Sequence, residues 1–224
     1  MLKTVFTINL KERLLPGRVA IGYFDGSTPS LVAATAGDKV LVHSSQDAGK
    51  SGQKSATHAD GVSFLNINQT VNALATGRLR LRDEHDVLVI GTPTSIFVYD
   101  VQNNQDLFYR DIPDGANVVA VGRIGAIEKP LAIAGGNCAL QGFDGDGNDC
   151  FWTVTGDNIT ALTIADINDD EQHELLVGSE DFDIRVFKED TIMYEVCRAA
   201  KRRKFIPCPR ANIEFSYCRP CLAR

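Results

Sequence analysis

Short apolar runs separated by turn-forming residues recur along most of this chain. The clearest group spans residues 158–188, where apolar runs at 159–164, 174–178 and 184–187 are joined by acidic segments rich in Asp and Asn. Runs of this length, rich in Ile and Val and bounded by Asp, Asn and Gly, are typical of β-strands. Residues 174–178 are almost continuously apolar, which favours a strand covered on both faces. The group therefore predicts a meander of antiparallel strands.

The same group recurs along the chain. Its second and most apolar strand ends at Ala34, Gly91, Gly135 and Gly178, which gives separations of 57, 44 and 43 residues. The first interval is longer because it contains residues 44–60, which are rich in Ser, Gly and Gln and which we expect to form a polar surface loop. A period of about 40–50 residues with four strands per unit is typical of β-propeller blades. We expect each second strand to lie between flanking strands, where its small final residue allows close approach of the chain.

The predicted fold class is therefore all-β, a β-propeller of about four blades, each with four antiparallel strands, over residues 1–190. Because propellers close with about 4–8 blades and four-bladed closure is rare, we expect an incomplete ring with exposed sheet edges and apolar faces on its end blades. Besides the second strands, the pattern predicts strands at residues 5–10, 17–22, 39–43, 70–76, 95–99, 107–110, 117–122, 138–143 and 150–154.

Charge and cysteine content both change near residue 190. Residues 1–190 carry 15 Lys and Arg against 27 Asp and Glu, whereas residues 191–224 carry 8 against 2. Four of the six cysteines also follow residue 190. Such a break marks a boundary, so we expect residues 191–224 to form a separate, basic, disordered tail. The sequence shows no signal-peptide pattern and no apolar run long enough for a membrane span, which predicts a cytosolic protein with reduced thiols.

One acidic segment resembles a calcium-binding loop. Asp166, Asn168 and Asp170 alternate and Glu174 adds a distal carboxylate, a set that could encircle a hard cation. However, Glu171 stands where such loops carry the glycine of their sharp turn. We therefore favour a solvated β-turn and predict no metal site, with a calcium loop formed by these four residues as the alternative. Residues 143–149 are likewise interpreted as an Asp-Gly hairpin turn.

No catalytic or cofactor-binding pattern emerges from the remaining residues. Residues 48–51 end like a phosphate-binding loop but lack its first glycine, and the histidines (His43, His58, His85 and His173) are scattered. Only Cys218 and Cys221 have zinc-ligand spacing, and a second such pair is missing. We predict a non-enzymatic protein without cofactor or catalytic residue. Residues 201–204, KRRK, could bind an acidic surface, and Trp152 and Phe187 are expected in the core between blades.

Several longer segments resemble a known family. The segments at residues 103–110, 113–117, 135–143, 151–158 and 174–190 are similar to the Bardet–Biedl syndrome protein 2 family, subunits of the BBSome, a coat-like complex that carries membrane proteins to and from cilia. The resemblance covers residues 1–190 and implies an amino-terminal β-propeller acting as a scaffold. The implied partners are other BBSome subunits, chiefly the seventh Bardet–Biedl protein, and indirectly an Arf-like small GTPase and ciliary membrane cargo, with no nucleic acid.

The resemblance also implies a location in the cytoplasm and at the cilium, its basal body and its membrane. After residue 190 we expect the sequence to depart from the family, without the coiled coil through which its members pair. The alternative is a calcium-stabilised, integrin-like adhesive propeller, which would need a secretory signal and intact calcium loops. A propeller hydrolase is a third possibility and would need acids or histidines converging on the axis.

Overall fold

The structure, a computed structural model, describes residues 12–44 and 61–197, which form four antiparallel four-stranded sheets. The first sheet contains β1 (Leu14–Gly22), β2 (Ser30–Thr35), β3 (Lys39–Ser44) and β4 (Val62–Asn66). The second contains β5 (Ala73–Gly77), β6 (Val87–Gly91), β7 (Ser95–Asp100) and β8 (Gln105–Asp111). The third contains β9 (Val118–Gly122), β10 (Leu131–Gly135), β11 (Ala139–Phe143) and β12 (Asp149–Val154). The fourth contains β13 (Ile159–Ala165), β14 (Glu174–Ser179), β15 (Asp183–Lys188) and β16 (Thr191–Cys197).

Within each sheet the strands lie side by side in chain order, so the second strand is always interior. Every residue of β6 and of β10 is buried. In β6, Leu88 and Ile90 pack toward the first sheet, whereas Val87 and Val89 pack toward the third. Burial on both faces explains why these strands read as continuous apolar runs. The predicted all-β fold and its four-stranded units are confirmed.

The four sheets stack in an open arc. Successive first strands contact one another, β1 with β5, β5 with β9 and β9 with β13, and an apolar core fills each of the three spaces between neighbouring sheets. In the described ranges, no comparable contact joins β13 back to β1. The arrangement is that of an incomplete propeller, as the repeat count predicts. No helix in the same ranges is long and apolar enough to cross a membrane.

The sequence pattern does not predict two of the observed strands, β4 and β16. The second of these corrects the predicted domain boundary at residue 190, because β16 pairs along β15, with Glu195 opposite Arg185 and Tyr194 opposite Val186. The fourth sheet therefore continues to Cys197. The change in charge at residue 190 did not predict this, because charge composition carries no information about backbone pairing. The predicted strand at 5–10, the polar loop from residue 45 to 60 and the tail from residue 198 onward lie outside the described residues.

Gly91 and Gly135, which end the second strands of the second and third sheets, lie tightly against the part of the chain that follows. A Cβ atom on Gly91 would lie 2.7 Å from the carbonyl oxygen of Ala116, and one on Gly135 would lie 2.7 Å from Cγ2 of Ile159. Both clashes are with the following sheet, which confirms the predicted close approach. At Gly178 the nearest atom would be Cβ of Ala161 in the same sheet, at 3.6 Å. That position has room, since no described sheet follows the fourth.

The two aromatic residues expected between blades behave differently. Phe187 is fully buried between the third and fourth sheets, as predicted. Trp152 is 57% exposed, so its predicted place in the core is wrong. The reason is strand alternation, because β12 is the outer strand of its sheet and places Phe151, rather than Trp152, against the core.

Candidate functional site

The four residues of the calcium-like segment lie together on or beside the loop that joins β13 and β14. The carboxylate of Asp166 accepts backbone N–H groups of Asn168 and Asp170, both at 3.3 Å, and of Glu171 at 2.9 Å. The side-chain amide of Asn168 donates to Asp170 Oδ2 at 3.1 Å. Glu171 adopts a φ of 65°, the left-handed conformation that glycine adopts without strain. These side chains therefore hold the turn through its own backbone.

A lysine from a neighbouring strand lies among the acids of this loop. Glu174 is fully buried, and its Oε2 accepts the N–H of Ile167 at 3.0 Å while its Oε1 has no hydrogen-bond partner. Nζ of Lys188, on β15, lies 2.6 Å from Asp170 Oδ2 and 4.0 Å from Glu174 Oε1. The hydrogen bond from Lys188 lowers the pKa of Asp170, and the same bond raises the pKa of Lys188. The ammonium thus supplies positive charge between two carboxylates.

Among the described residues, no three His, Cys, Asp or Glu side chains converge in a way that could hold a metal ion. Asp166, Asn168 and Asp170 lie in one loop and Glu174 begins the strand that follows it. The oxygens of these four residues face backbone N–H groups, each other or Lys188. Calcium binding by this loop stays a hypothesis. In the alternative, the lysine interpretation, the ammonium of Lys188 supplies the positive charge among these acids, and the two interpretations predict different effects of calcium on stability.

Lys188→Met is expected to lower the thermal unfolding midpoint by about 2–4 °C, because it leaves buried Glu174 without a nearby positive charge. Millimolar calcium is expected to leave the midpoint of the unaltered chain unchanged, as measured by circular dichroism against a sample with chelator. A calcium-dependent rise in that midpoint, lost in Asp166→Asn, would contradict the lysine interpretation and establish the cation site.

The predicted hairpin turn at residues 143–149 is present between β11 and β12. Asp144 accepts the backbone N–H groups of Asp146 at 3.0 Å and Asn148 at 2.9 Å, and Nζ of Lys129 donates to it at 2.8 Å. Burial alone would raise the pKa of Asp144, but the hydrogen bonds from Lys129 and Asn148 outweigh it and hold that pKa well below its usual range.

The second sheet repeats this arrangement. Asp100, at the end of β7, accepts the backbone N–H of Asn103 at 2.9 Å and lies 3.1 Å from Nε2 of His85. In both sheets, an acid at or directly after the end of the third strand therefore joins its own turn to the loop after the first strand. An aromatic residue followed by Asp recurs at Tyr99-Asp100 and Phe143-Asp144, and this repeat is the sequence signal that could have predicted these two Asp-centred contacts.

Sequence reasoning missed a buried arginine network within the fourth sheet. Arg185, only 7% exposed, donates to Asp181 and Asp183 at 2.8 and 2.9 Å, to Glu195 at 2.7 Å and to Ser179 at 2.8 Å. Burial raises the pKa of Asp181, but hydrogen bonds from Arg185 and Ser179 bring it down to about 2. The network joins β14, β15 and β16, so it holds the fourth sheet together.

A shallow cleft of about 560 Å³ opens between the loops that follow β5 and β9 and the turn after β11. Leu79 and Leu81 form its apolar part, and the salt bridge from Arg80 to Asp146, 2.9 Å long, crosses its rim. Its lining carries three basic and three acidic side chains, so it has no strong preference for either sign of charge.

The remaining sequence candidates do not form a reactive centre in the described ranges. His85 binds Asp100, and the carbonyl of His173 accepts the N–H of Gly125. Cys138 and Cys150 are free and exposed. The described residues do not include residues 48–51, His58, the basic run at 201–204, or Cys208, Cys218 and Cys221 of the predicted tail.

Two family models match the chain. The model described as Ciliary BBSome complex subunit 2, N-terminal, matches residues 20–122, and the model described as Ciliary BBSome complex subunit 2, middle region, matches residues 161–217. The second match runs well past residue 190. The departure from the family that we expected after residue 190 is therefore wrong for the matched residues.

Curated relatives agree with these matches, and a solved structure has a similar fold. BBSome complex member BBS2 of Mus musculus is 49% identical over 221 residues and that of Homo sapiens 47% over 221, each alignment covering 97% of this chain and 30% of the relative. The chain thus spans about 30% of the length of the curated relatives it matches. The crystal structure of BBS1N in complex with ARL6DN, soaked with mercury, has a TM-score of 0.60 at 12% identity, covering 86% of this chain and 57% of that chain, a likeness of fold alone. Since both matching models describe one protein family and its members are nearly half identical to this sequence along almost all of it, the chain belongs to the BBSome complex subunit 2 family.

Proposed function

We propose that the chain is a non-enzymatic scaffold subunit of the BBSome that works through protein–protein contacts in protein transport to the ciliary membrane and in ciliogenesis. The observation that carries the proposal is the 49% identity with BBSome complex member BBS2 over 221 residues. The fold supports it, because stacked sheets give a rigid body with loops and outer strands available for contacts. The same identity favours a location in the cytoplasm and at the cilium, its basal body and its membrane.

The partners proposed are other BBSome subunits, chiefly the seventh Bardet–Biedl protein, and ciliary membrane cargo. An Arf-like small GTPase is proposed as an indirect partner only. In the solved structure of similar fold, BBS1N itself is in complex with ARL6DN. That complex belongs to a different protein, which supports a route to the GTPase through another subunit rather than through this chain.

The proposal is tested by purifying the tagged chain from ciliated cells and identifying bound proteins by mass spectrometry. We expect other BBSome subunits to be recovered. The matched control is Gly91→Val, whose side chain would collide with the third sheet and disrupt the stacking on which any surface depends. Recovery of chaperones alone with the soluble, unaltered chain would contradict the proposal.

A further inference from the structure

The outer strand of the third sheet, β12, has one unpaired edge among the described strands. Its other edge pairs with β11, where Trp152 lies opposite Gln141 and Val154 opposite Ala139. An unpaired edge presents a row of backbone N–H and C=O groups that can pair with another extended chain.

The phase of the pairing shows which residues present those groups. The N–H of Thr155 donates to the carbonyl of Cys138 at 2.8 Å, so this pair is directly hydrogen-bonded. In an antiparallel ladder such pairs alternate with pairs whose backbone groups point away from the partner strand. Thr153 therefore points its backbone toward β11, whereas Trp152 and Val154 point theirs toward the free edge.

The side chains of the same two residues are also exposed. Trp152 is 57% exposed and Val154 is 53% exposed. From Cys150 to Val154 the strand contains no charged residue and no proline, the features with which proteins normally protect an edge. Exposed tryptophan is moreover enriched among residues that carry binding energy in protein interfaces.

The other three sheets differ at the equivalent positions. In the second sheet, the pairing of β7 with β8 places Tyr109 and Asp111 where the third sheet has Trp152 and Val154. In the fourth sheet Glu195 takes the place of Trp152, and in the first sheet Asn66 takes the place of Val154. Each of these edges thus carries a polar or charged residue at one of the two outward positions, and the edge of β12 does not.

We propose that β12 binds an extended segment of a partner protein, which adds to the third sheet as a fifth strand. Backbone hydrogen bonds to Trp152 and Val154 hold the segment, and its alternate apolar side chains contact those of Trp152 and Val154. Asp149, exposed at the start of the strand, makes no ion pair with any described residue. A lysine or arginine at one end of the incoming segment complements it. The site depends on this edge alone and is independent of the proposed role in the BBSome.

The test uses the full chain and a synthetic peptide, acetyl-Lys-Thr-Val-Thr-Ile-Thr-Lys-amide, as the probe. Trp152 is the only tryptophan of the chain, so its fluorescence reports directly on the proposed site. We expect saturable binding with a shift of the emission to shorter wavelength. Absence of saturable binding up to millimolar peptide would overturn the proposal.

Val154→Asp gives β12 a carboxylate at the position that Asp111 occupies in the second sheet. We expect this substitution to weaken peptide binding at least tenfold. Asn66→Asp is the matched control, since it adds the same charge at the equivalent exposed position of the first sheet and is expected to leave binding unchanged. Circular dichroism is used to check that both variants fold. Equal affinity of the Val154→Asp variant and the unaltered chain would overturn the proposal.

A second arm tests the backbone contacts. Methylation of the peptide nitrogens that face β12 is expected to abolish binding, whereas methylation of the alternate nitrogens, which face away, is expected to retain it. Equal binding by both methylated peptides would show that side chains alone attach the probe and would overturn strand addition.

Discussion

Gly91→Ala is expected to destabilise the chain by about 3 kcal/mol, because the added methyl group has no space between the second and third sheets. Its carbon would lie 2.7 Å from the carbonyl oxygen of Ala116 and 3.0 Å from Cγ1 of Val119. A carbonyl of the main chain cannot turn aside as a flexible side chain can, so relief requires the segment that leads into β9 to shift. The free energy of unfolding is measured by urea denaturation monitored by circular dichroism.

Gly178→Ala is the matched control, because Gly178 pairs with Ile184 in the fourth sheet as Gly91 pairs with Ile96 in the second. The added carbon would meet only Cβ of Ala161, at 3.6 Å, an ordinary contact. We expect stability within about 1 kcal/mol of the unaltered chain, since alanine also loses less conformational freedom than glycine on folding. Equal losses from the two substitutions would contradict the assignment of Gly91 to a tight contact between sheets.

Arg185→Met is expected to cost about 3 kcal/mol, because it leaves three carboxylates facing one another with no positive charge between them. Asp181, Asp183 and Glu195 all lie within 2.9 Å of guanidinium nitrogens in the intact network. Arg80→Met is the control, since Arg80 and Asp146 are both well exposed and such pairs contribute little to stability. Urea denaturation at neutral pH compares the two, and equal effects would contradict the proposed weight of the buried network.

The network also predicts a pH dependence. The pKa of Asp181 falls from its ordinary 3.8 to about 2 in the folded chain, so its ionised form favours folding. That contribution is fully present above pH 4 and is lost as the pH falls from about 4 to about 2. In Arg185→Met the main donor to Asp181 is gone, and we expect a smaller loss of stability over this interval. An unchanged acid dependence in the variant would show that other groups determine it.

The sequence pattern predicted the strands that are buried on both faces and missed some that are not. β6 and β10 are continuous apolar runs because each packs against two neighbouring sheets. β4 and β16 are outer strands, and their mixture of polar and apolar residues does not separate them from loops. Trp152 was misplaced for a related reason, because hydrophobicity alone does not tell which face of an outer strand meets the core.

Contacts within the loop of the candidate site could be predicted from the sequence, whereas contacts from residues distant in the sequence could not. The Asp and Asn spacing of residues 166–170 indicates a turn, and the structure contains one that these side chains hold together. Lys188 reaches the same loop from β15, and nothing in the sequence of the loop predicts this contact. Similarly, Arg185 reads as a solvent-facing residue of β15 until the pairing with β16 brings Glu195 beside it.

The open arc of sheets has a consequence for how the chain unfolds. Each sheet shares its apolar cores only with the sheets next to it, so stability is a sum of contributions from individual sheets and from neighbouring pairs. In the described part of the chain, the second and third sheets have a packed neighbour on both faces, whereas the first and fourth have one. Backbone amide hydrogens should therefore exchange with solvent most slowly in β6 and β10, with the two end sheets opening independently of the middle of the arc.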